Sequence, residues 1–267
     1  MPSYIPLQPS RHRQAGFRRA TTLAHGRTDQ FAPILQEEIS RVIPLAPLCF
    51  IPSAEDRDRF ELVMLQGLEP GLNLCVDPHS QKWLLPYMPA HYRSYPFSIG
   101  TDMGTGQDIL CIDQESDLIV EEPGAEDLRF FAEDGQLSQT MKDTLSFMEQ
   151  CARARKRTQA AVDMLVELDL LMTWPVTLTR LGVDISVDGL YRVDPDKFQA
   201  LDADKLKQLH DVYGLQLAYG QLFSEQRVHT LARLDGYHLS GAKKAPDQDP
   251  LDSVWTPDEG DISFDLN

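Results

Sequence analysis

The densest concentration of side chains able to grip or react lies at residues 86–97, PYMPAHYRSYPF. Tyr87, His91, Tyr92, Arg93, Tyr95 and Phe97 share this stretch with three prolines. Aromatic rings and arginine supply large, rigid contact area. Prolines pre-order the backbone and lower the entropic cost of binding. The chemistry indicated is recognition of a partner or ligand. A plainer reading is an aromatic core layer with tyrosine hydroxyls at its edge. Asp113 and Glu115 would complete a site if the fold carried them to Tyr87, His91, Arg93 and Tyr95, and an enzyme or ligand-binding pocket built this way stays open. Asp113, Glu115 and Asp117 also alternate like the start of a calcium loop. Leu118 stands where that loop needs glycine and Gly124 where it needs glutamate, so an EF-hand is excluded.

Other chemistries lack their residues. The glycine-rich stretch 100–106 has no lysine and carries an acid, so it reads as a hairpin turn and not a phosphate loop. The histidines His12, His25, His79, His91, His210, His229 and His238 form no metal-binding spacing. No G-x-S-x-G elbow is present. Cys49, Cys75, Cys111 and Cys151 make no C-x-x-C pair and read as free buried thiols. Neither a metal nor a cofactor is expected.

Charge narrows the partners. The chain has 267 residues, with 25 Lys+Arg against 41 Asp+Glu and a net charge of −16. Nucleic acid and anionic membranes need positive charge, so neither is expected as a partner of the whole molecule. No run is long and apolar enough for a transmembrane helix. The opening MPSYIPLQPSRHRQ has no apolar core region, which gives a cytoplasmic expectation and leaves export by a signal-less route open.

The charge is unevenly spread. Residues 1–41 hold six arginines and three acids, whereas the rest is acidic. Residues 1–28 are expected to be a basic arm. It can lie on the acidic body of its own chain or of a neighbour in a homo-oligomer, or stay solvated. Residues 29–239 are the expected domain.

The elements that must position the site follow from periodicity. Asp29 is placed to cap a short helix carrying Phe31, Ile34, Leu35, Ile39 and Val42. Short apolar runs at 48–51, 60–65, 72–76, 83–85 and 109–112, with Gly/Pro punctuation, read as antiparallel strands. A short helix is expected at 89–95. Ser138 caps a helix running to about residue 171, with a break near 156–158 as an alternative. The basic residues Arg153, Arg155, Lys156 and Arg157 in its middle read as a solvated face. Residues 175–193 alternate like a strand pair, and Asp202 and Gly214 mark two further helices. The expected fold is α+β: a mostly antiparallel N-terminal sheet packed with a C-terminal helical layer that contains a β-hairpin.

Residues 240–267 are acidic, without periodicity, and read as a disordered tail. Trp255, Ile262 and Phe264 stand among acids there, a pattern suited to docking in a groove, beside the plainer reading of a solubilising tail.

Several segments in order resemble the S-layer-associated SapC family of bacterial proteins. They are PLQPSRHRQAGFR at 6–18, LCFIP at 48–52, LQGLEPGLNLCVD at 65–77, YMPAHYRSYPF at 87–97, LCID at 110–113, AEDGQ at 132–136, the long Arg- and Thr-bearing helix, and DGLYRVD at 188–194. The resemblance covers roughly residues 4–236. Leu72 departs from the acid expected after the Pro–Gly turn, and Met88 from the usual valine. The resemblance implies a non-catalytic accessory protein acting with a surface layer or with a tryptophan-halogenase-like flavoenzyme. It carries no catalytic residues across.

Overall fold

Strand-forming apolar runs build the centre of the molecule, and one long helix crosses it. The computed structural model describes residues 3–54, 56, 58–101, 104, 106, 108–180 and 182–241. The strands and helices in chain order are β1 (Tyr4–Pro6), α1 (Pro9–His12), β2 (Gly16–Phe17), β3 (Phe31–Pro33), α2 (Ile39–Val42), β4 (Leu48–Pro52), β5 (Phe60–Leu65), α3 (Ala90–Arg93), β6 (Phe97–Thr101), β7 (Asp108–Asp113), β8 (Ile119–Val120), β9 (Leu128–Arg129), α4 (Gln139–Glu167), β10 (Leu171–Thr173), β11 (Val176–Arg180), β12 (Val183–Val187), β13 (Tyr191–Val193), α5 (Pro195–Gln199), α6 (Ala203–Asp211), α7 (Gly214–Ser224) and α8 (Val228–Ser240). Short 3-10 turns lie at Ala24–Gly26, Gln36–Glu38 and Glu225–Arg227.

The fold is α+β with antiparallel sheets and a C-terminal helical region. The central sheet has the order β10-β13-β4-β5-β3, so two of its five strands come from the C-terminal half. A second sheet, β1-β7-β6, and a third, β8-β2-β9, flank it, and β11-β12 is a separate hairpin. The strands divide into four antiparallel groups. Their shortness explains this: β2, β8 and β9 are two residues each and cannot extend a large sheet.

The chain forms two main cores. The larger joins Leu48, Phe50, Met64 and Leu65 of the central sheet to Ala161, Val162 and Leu165 of α4 and to Leu217, Leu231 and Leu234 of the last helices. The second gathers Phe17, Phe97, Ile112 and Phe130 around Met141 and Met148 of the same α4. α4 has 29 residues and no break near 156–158. At ~1.5 Å per residue it spans about 43 Å, enough to reach both cores. The Ser138 hydroxyl accepts from Met141 N–H and starts it.

Three expectations are corrected. Residues 31–33 form an edge strand, not the first turn of a helix, because β5 offers Phe31, Ala32 and Pro33 a ladder and an edge tolerates proline. Asp29 consequently caps no helix. Residues 72–76 are a turn region: the Asn73 side chain accepts from Cys75 N–H and donates to Gly26 O, replacing a ladder. Residues 83–85 keep only the isolated bridge between Val76 and Trp83. The opening stretch is tied to the body by backbone pairing, Tyr4 opposite Asp113 and Phe17 opposite both Ile119 and Leu128. Arg18 pairs with Asp127 at 2.9 Å. Trp255, Ile262 and Phe264 lie outside the described residues. Among the described helices, none is long and apolar enough to cross a membrane.

α7 closes the central sheet. Its Gly220 lies so near α2 that a Cβ would stand 2.4 Å from Ile39 Cγ2. Buried Gln221 accepts from Val193 N–H at 2.9 Å and donates to Leu48 O at 3.4 Å, bridging β13 and β4 where their own pairing is a single register position. Ser224 accepts from Leu48 N–H. Gln221→Leu is expected to lower unfolding stability by about 2 kcal/mol, because Val193 N–H loses its acceptor. A urea midpoint equal to that of the unsubstituted chain would refute this role.

Candidate functional site

The segment picked out by its rings forms one wall of an open cleft of about 820 Å³. α3 contributes His91 and Tyr92, the following turn Tyr95, and β6 begins with Phe97. The end of β7 adds Asp113, and the turn after it Glu115. The opposite walls come from His25 and Asp29, from Pro33 and Leu35, and from Met148, Cys151 and Arg155 of α4. His91, Glu115 and Arg155 are exposed on its rim. The local packing is tight where it must be. Gly26 leaves room for the Tyr92 ring, which a Cβ would meet at 2.6 Å. His25 stacks on Tyr95 with ring centres 3.8 Å apart.

Asp113 organises one end. It is buried, and its carboxylate accepts from Ser3 N–H at 2.9 Å, Glu115 N–H at 3.2 Å and the Tyr95 hydroxyl at 3.2 Å. At the other end the Tyr92 hydroxyl donates to Gln66 Oε1 at 2.8 Å. Burial and the nearby Asp29 carboxylate push the Tyr92 pKa well up.

Tyr87 and Arg93 face elsewhere. They line a second groove, of about 400 Å³, with Arg41, Phe147, Arg153 and Arg157. Beneath it Glu38 is buried. Its carboxylate accepts from Leu35 N–H at 3.0 Å, the Tyr87 hydroxyl at 2.7 Å and Ala90 N–H at 2.7 Å, and the Arg93 guanidinium lies 3.9 Å away. Burial first, then the bond to Glu38, raises the Tyr87 pKa to about 12.

Burial also lowers the pKa of His25 and raises those of Tyr95 and Cys151, and the crowding of the surrounding protein lowers that of His91 although its ring edge is exposed. At neutral pH these groups are therefore held neutral. In that state the rings can stack and the polar atoms can hydrogen-bond. Cys49, Cys75 and Cys111 are buried free thiols and Cys151 is half-buried. Among the described residues no group of His, Cys, Asp and Glu is gathered to hold a metal.

Of the residues singled out in the sequence, His91, Tyr92, Tyr95, Phe97, Asp113 and Glu115 meet on the large cleft, while Tyr87 and Arg93 stand on the smaller groove. The sequence reading passed over His25, Asp29, Arg155 and Glu38. Arg155 lay within the basic run of α4, where the helical period alone could have separated it from Arg153 and Arg157. His25 carried no local signal, because Tyr95 is 70 positions away, and Glu38 showed at most its turn-capping contact with Leu35, its other donors lying 49 and 52 positions away.

The fold and cleft define an α+β protein with a preformed, mixed polar and apolar recessed surface. A family model described as SapC matches residues 7–231, and the chain belongs to the SapC family. A search of curated proteins and a search of solved structures each gave no significant match.

Glu38→Ala would strand two backbone N–H groups and the Tyr87 hydroxyl. It should cost about 3 kcal/mol or more in chemical unfolding, and a loss under about 1 kcal/mol would show that water replaces the carboxylate. Acid should also destabilise the chain. The folded-state pKa of His25 lies below the ordinary 6.5, so the unfolded chain binds that proton first as pH falls. The stability contribution is complete above the unfolded value and is lost as pH drops through the folded one. His25→Phe keeps the stack on Tyr95 and should shrink the loss of Tm between about pH 7 and about pH 5. An undiminished loss would assign the acid sensitivity to other groups, such as His12 or His91.

Proposed function

We propose that this chain is a non-catalytic binding protein, an accessory component that takes a segment of a partner protein into the large cleft. The observation that carries the reading is the convergence of His91, Tyr95, Asp113 and Glu115 with His25 and Arg155 around one open recess. Its stacked rings are rigid, and its rim offers exposed groups of both charge signs, which is how interfaces combine affinity with specificity. The partner classes to test first are the two implied by the family resemblance, a surface-layer component and a tryptophan-halogenase-like flavoenzyme. A cytoplasmic address is part of the same proposal.

A second reading has its own support. The cleft volume of about 820 Å³ falls in the range that small ligands fill, so a small molecule held at the Tyr95–His25 stack is the alternative.

The test is an affinity pull-down from native lysate with mass spectrometry of proteins and small molecules, repeated with Arg155→Glu. Arg155 is exposed, so the substitution should leave Tm unchanged. A stoichiometric surface-layer protein or flavoprotein, lost in the variant, is the expected outcome. Retention of a small molecule with no protein would favour the second reading. Capture that Arg155→Glu leaves intact would place the interface elsewhere.

A further inference from the structure

We propose that the smaller groove, beside α4, is the docking site of this chain's own acidic C-terminal segment, residues 242–267. The groove is an island of positive charge on a chain of net charge −16. Four arginines line it, Arg41, Arg93, Arg153 and Arg157, against the two acids Glu37 and Glu38. Glu38 is buried and already engaged by Tyr87 and two backbone N–H groups. Arg157 pairs with Glu37. Arg153 meets Glu149 only at 4.0 Å, in an exposed pair of the kind that contributes little. The groove therefore keeps an excess of cationic donors facing solvent.

Its floor is aromatic. The Arg93 guanidinium lies 5.6 Å from the Tyr87 ring centre and 5.1 Å from that of Phe147, and Arg41 lies 5.4 Å from Tyr87. Such a floor accepts a further apolar or aromatic side chain while its arginines accept carboxylates. Residues 242–267 carry this pair of features. They hold seven acids and two lysines, and Asp258, Glu259, Asp261 and Asp265 bracket Ile262 and Phe264.

Reach favours the same chain over another copy. Phe264 follows Gly241, the last described residue, by 23 positions. Extended at ~3.3 Å per residue these reach about 76 Å. A domain of this size has a radius of gyration of about 18 Å. A tether of this kind presents its end at an effective concentration on the order of millimolar, so even weak ion pairing fills the groove from within.

The test uses the full chain with Phe264→p-benzoylphenylalanine, irradiated when dilute, with cross-links mapped by mass spectrometry. Intramolecular cross-links to peptides carrying Tyr87 or Phe147 are expected. Their yield should fall as salt is raised from about 0.05 to about 0.5 M. The added pair Arg41→Glu and Arg153→Glu, both at exposed positions, should lower the yield about tenfold through like-charge repulsion while circular dichroism stays unchanged. Should circular dichroism change, Arg153→Gln alone replaces the pair, with a smaller fall expected. Cross-links to the large cleft, to other surfaces or between copies would overturn the proposal, as would no cross-link at all.

Discussion

α4 has to satisfy two cores at once, and the arrangement of the whole surface follows from that demand. Its first half buries Met141 and Met148 among the phenylalanines of the smaller core, and its second half buries Ala161, Val162 and Leu165 under the central sheet. Between them the helix crosses a gap where only Ala154 and Thr158 are buried. Thr158 accepts from Gln36 N–H there, and Ala154 packs with Leu35 and Ala90. Most of the rest of that stretch faces water, which is why Arg153, Arg155, Lys156 and Arg157 fall in it. The large cleft opens on one side of this bridge and the smaller groove on the other. Leu35, Ala90 and Cys151 line both.

Two buried carboxylates keep that gap in shape. Glu38 gathers the turn before α2, the start of α3 and Tyr87 onto one side chain. Asp113 does the same for Ser3, Glu115 and Tyr95. A buried carboxylate is costly unless both its oxygens are hydrogen-bonded, and each of these takes three donors spread over its two oxygens. The walls are thereby formed in advance of any occupant, which lowers the ordering cost of binding.

Much of this was legible in the sequence where the signal is local. Ser138 and Asp202 cap the helices they were read to cap, and the expected strand pair within 175–193 includes the β11–β12 hairpin. Strand pairing across long separations was not legible. β13 joins β4, and β3 takes the sheet edge despite apolar spacing that suits a helix. Nothing near residue 31 announces β5, because the ladder is supplied by the fold. The site divides in the same way. The ring-rich segment was visible as composition, but its split between two recesses depends on which way α3 turns each side chain. Glu38 was invisible as a hub, since an acid in an ordinary Q-E-E run shows its burial only through its partners.

The central sheet has a consequence for how the chain is made. Phe50 of β4 meets Tyr191 of β13, and Leu48 waits for Ser224 and Gln221 to satisfy its backbone. At ~5–20 residues per second a ribosome needs roughly 7 to 28 s to travel from the first of these to its strand partner. For that interval the apolar edge of β4 is an unfinished template, open to any other extended segment nearby. Production of this protein in a foreign host therefore depends on what shields the emerging chain, and slower synthesis lengthens the interval that must be covered.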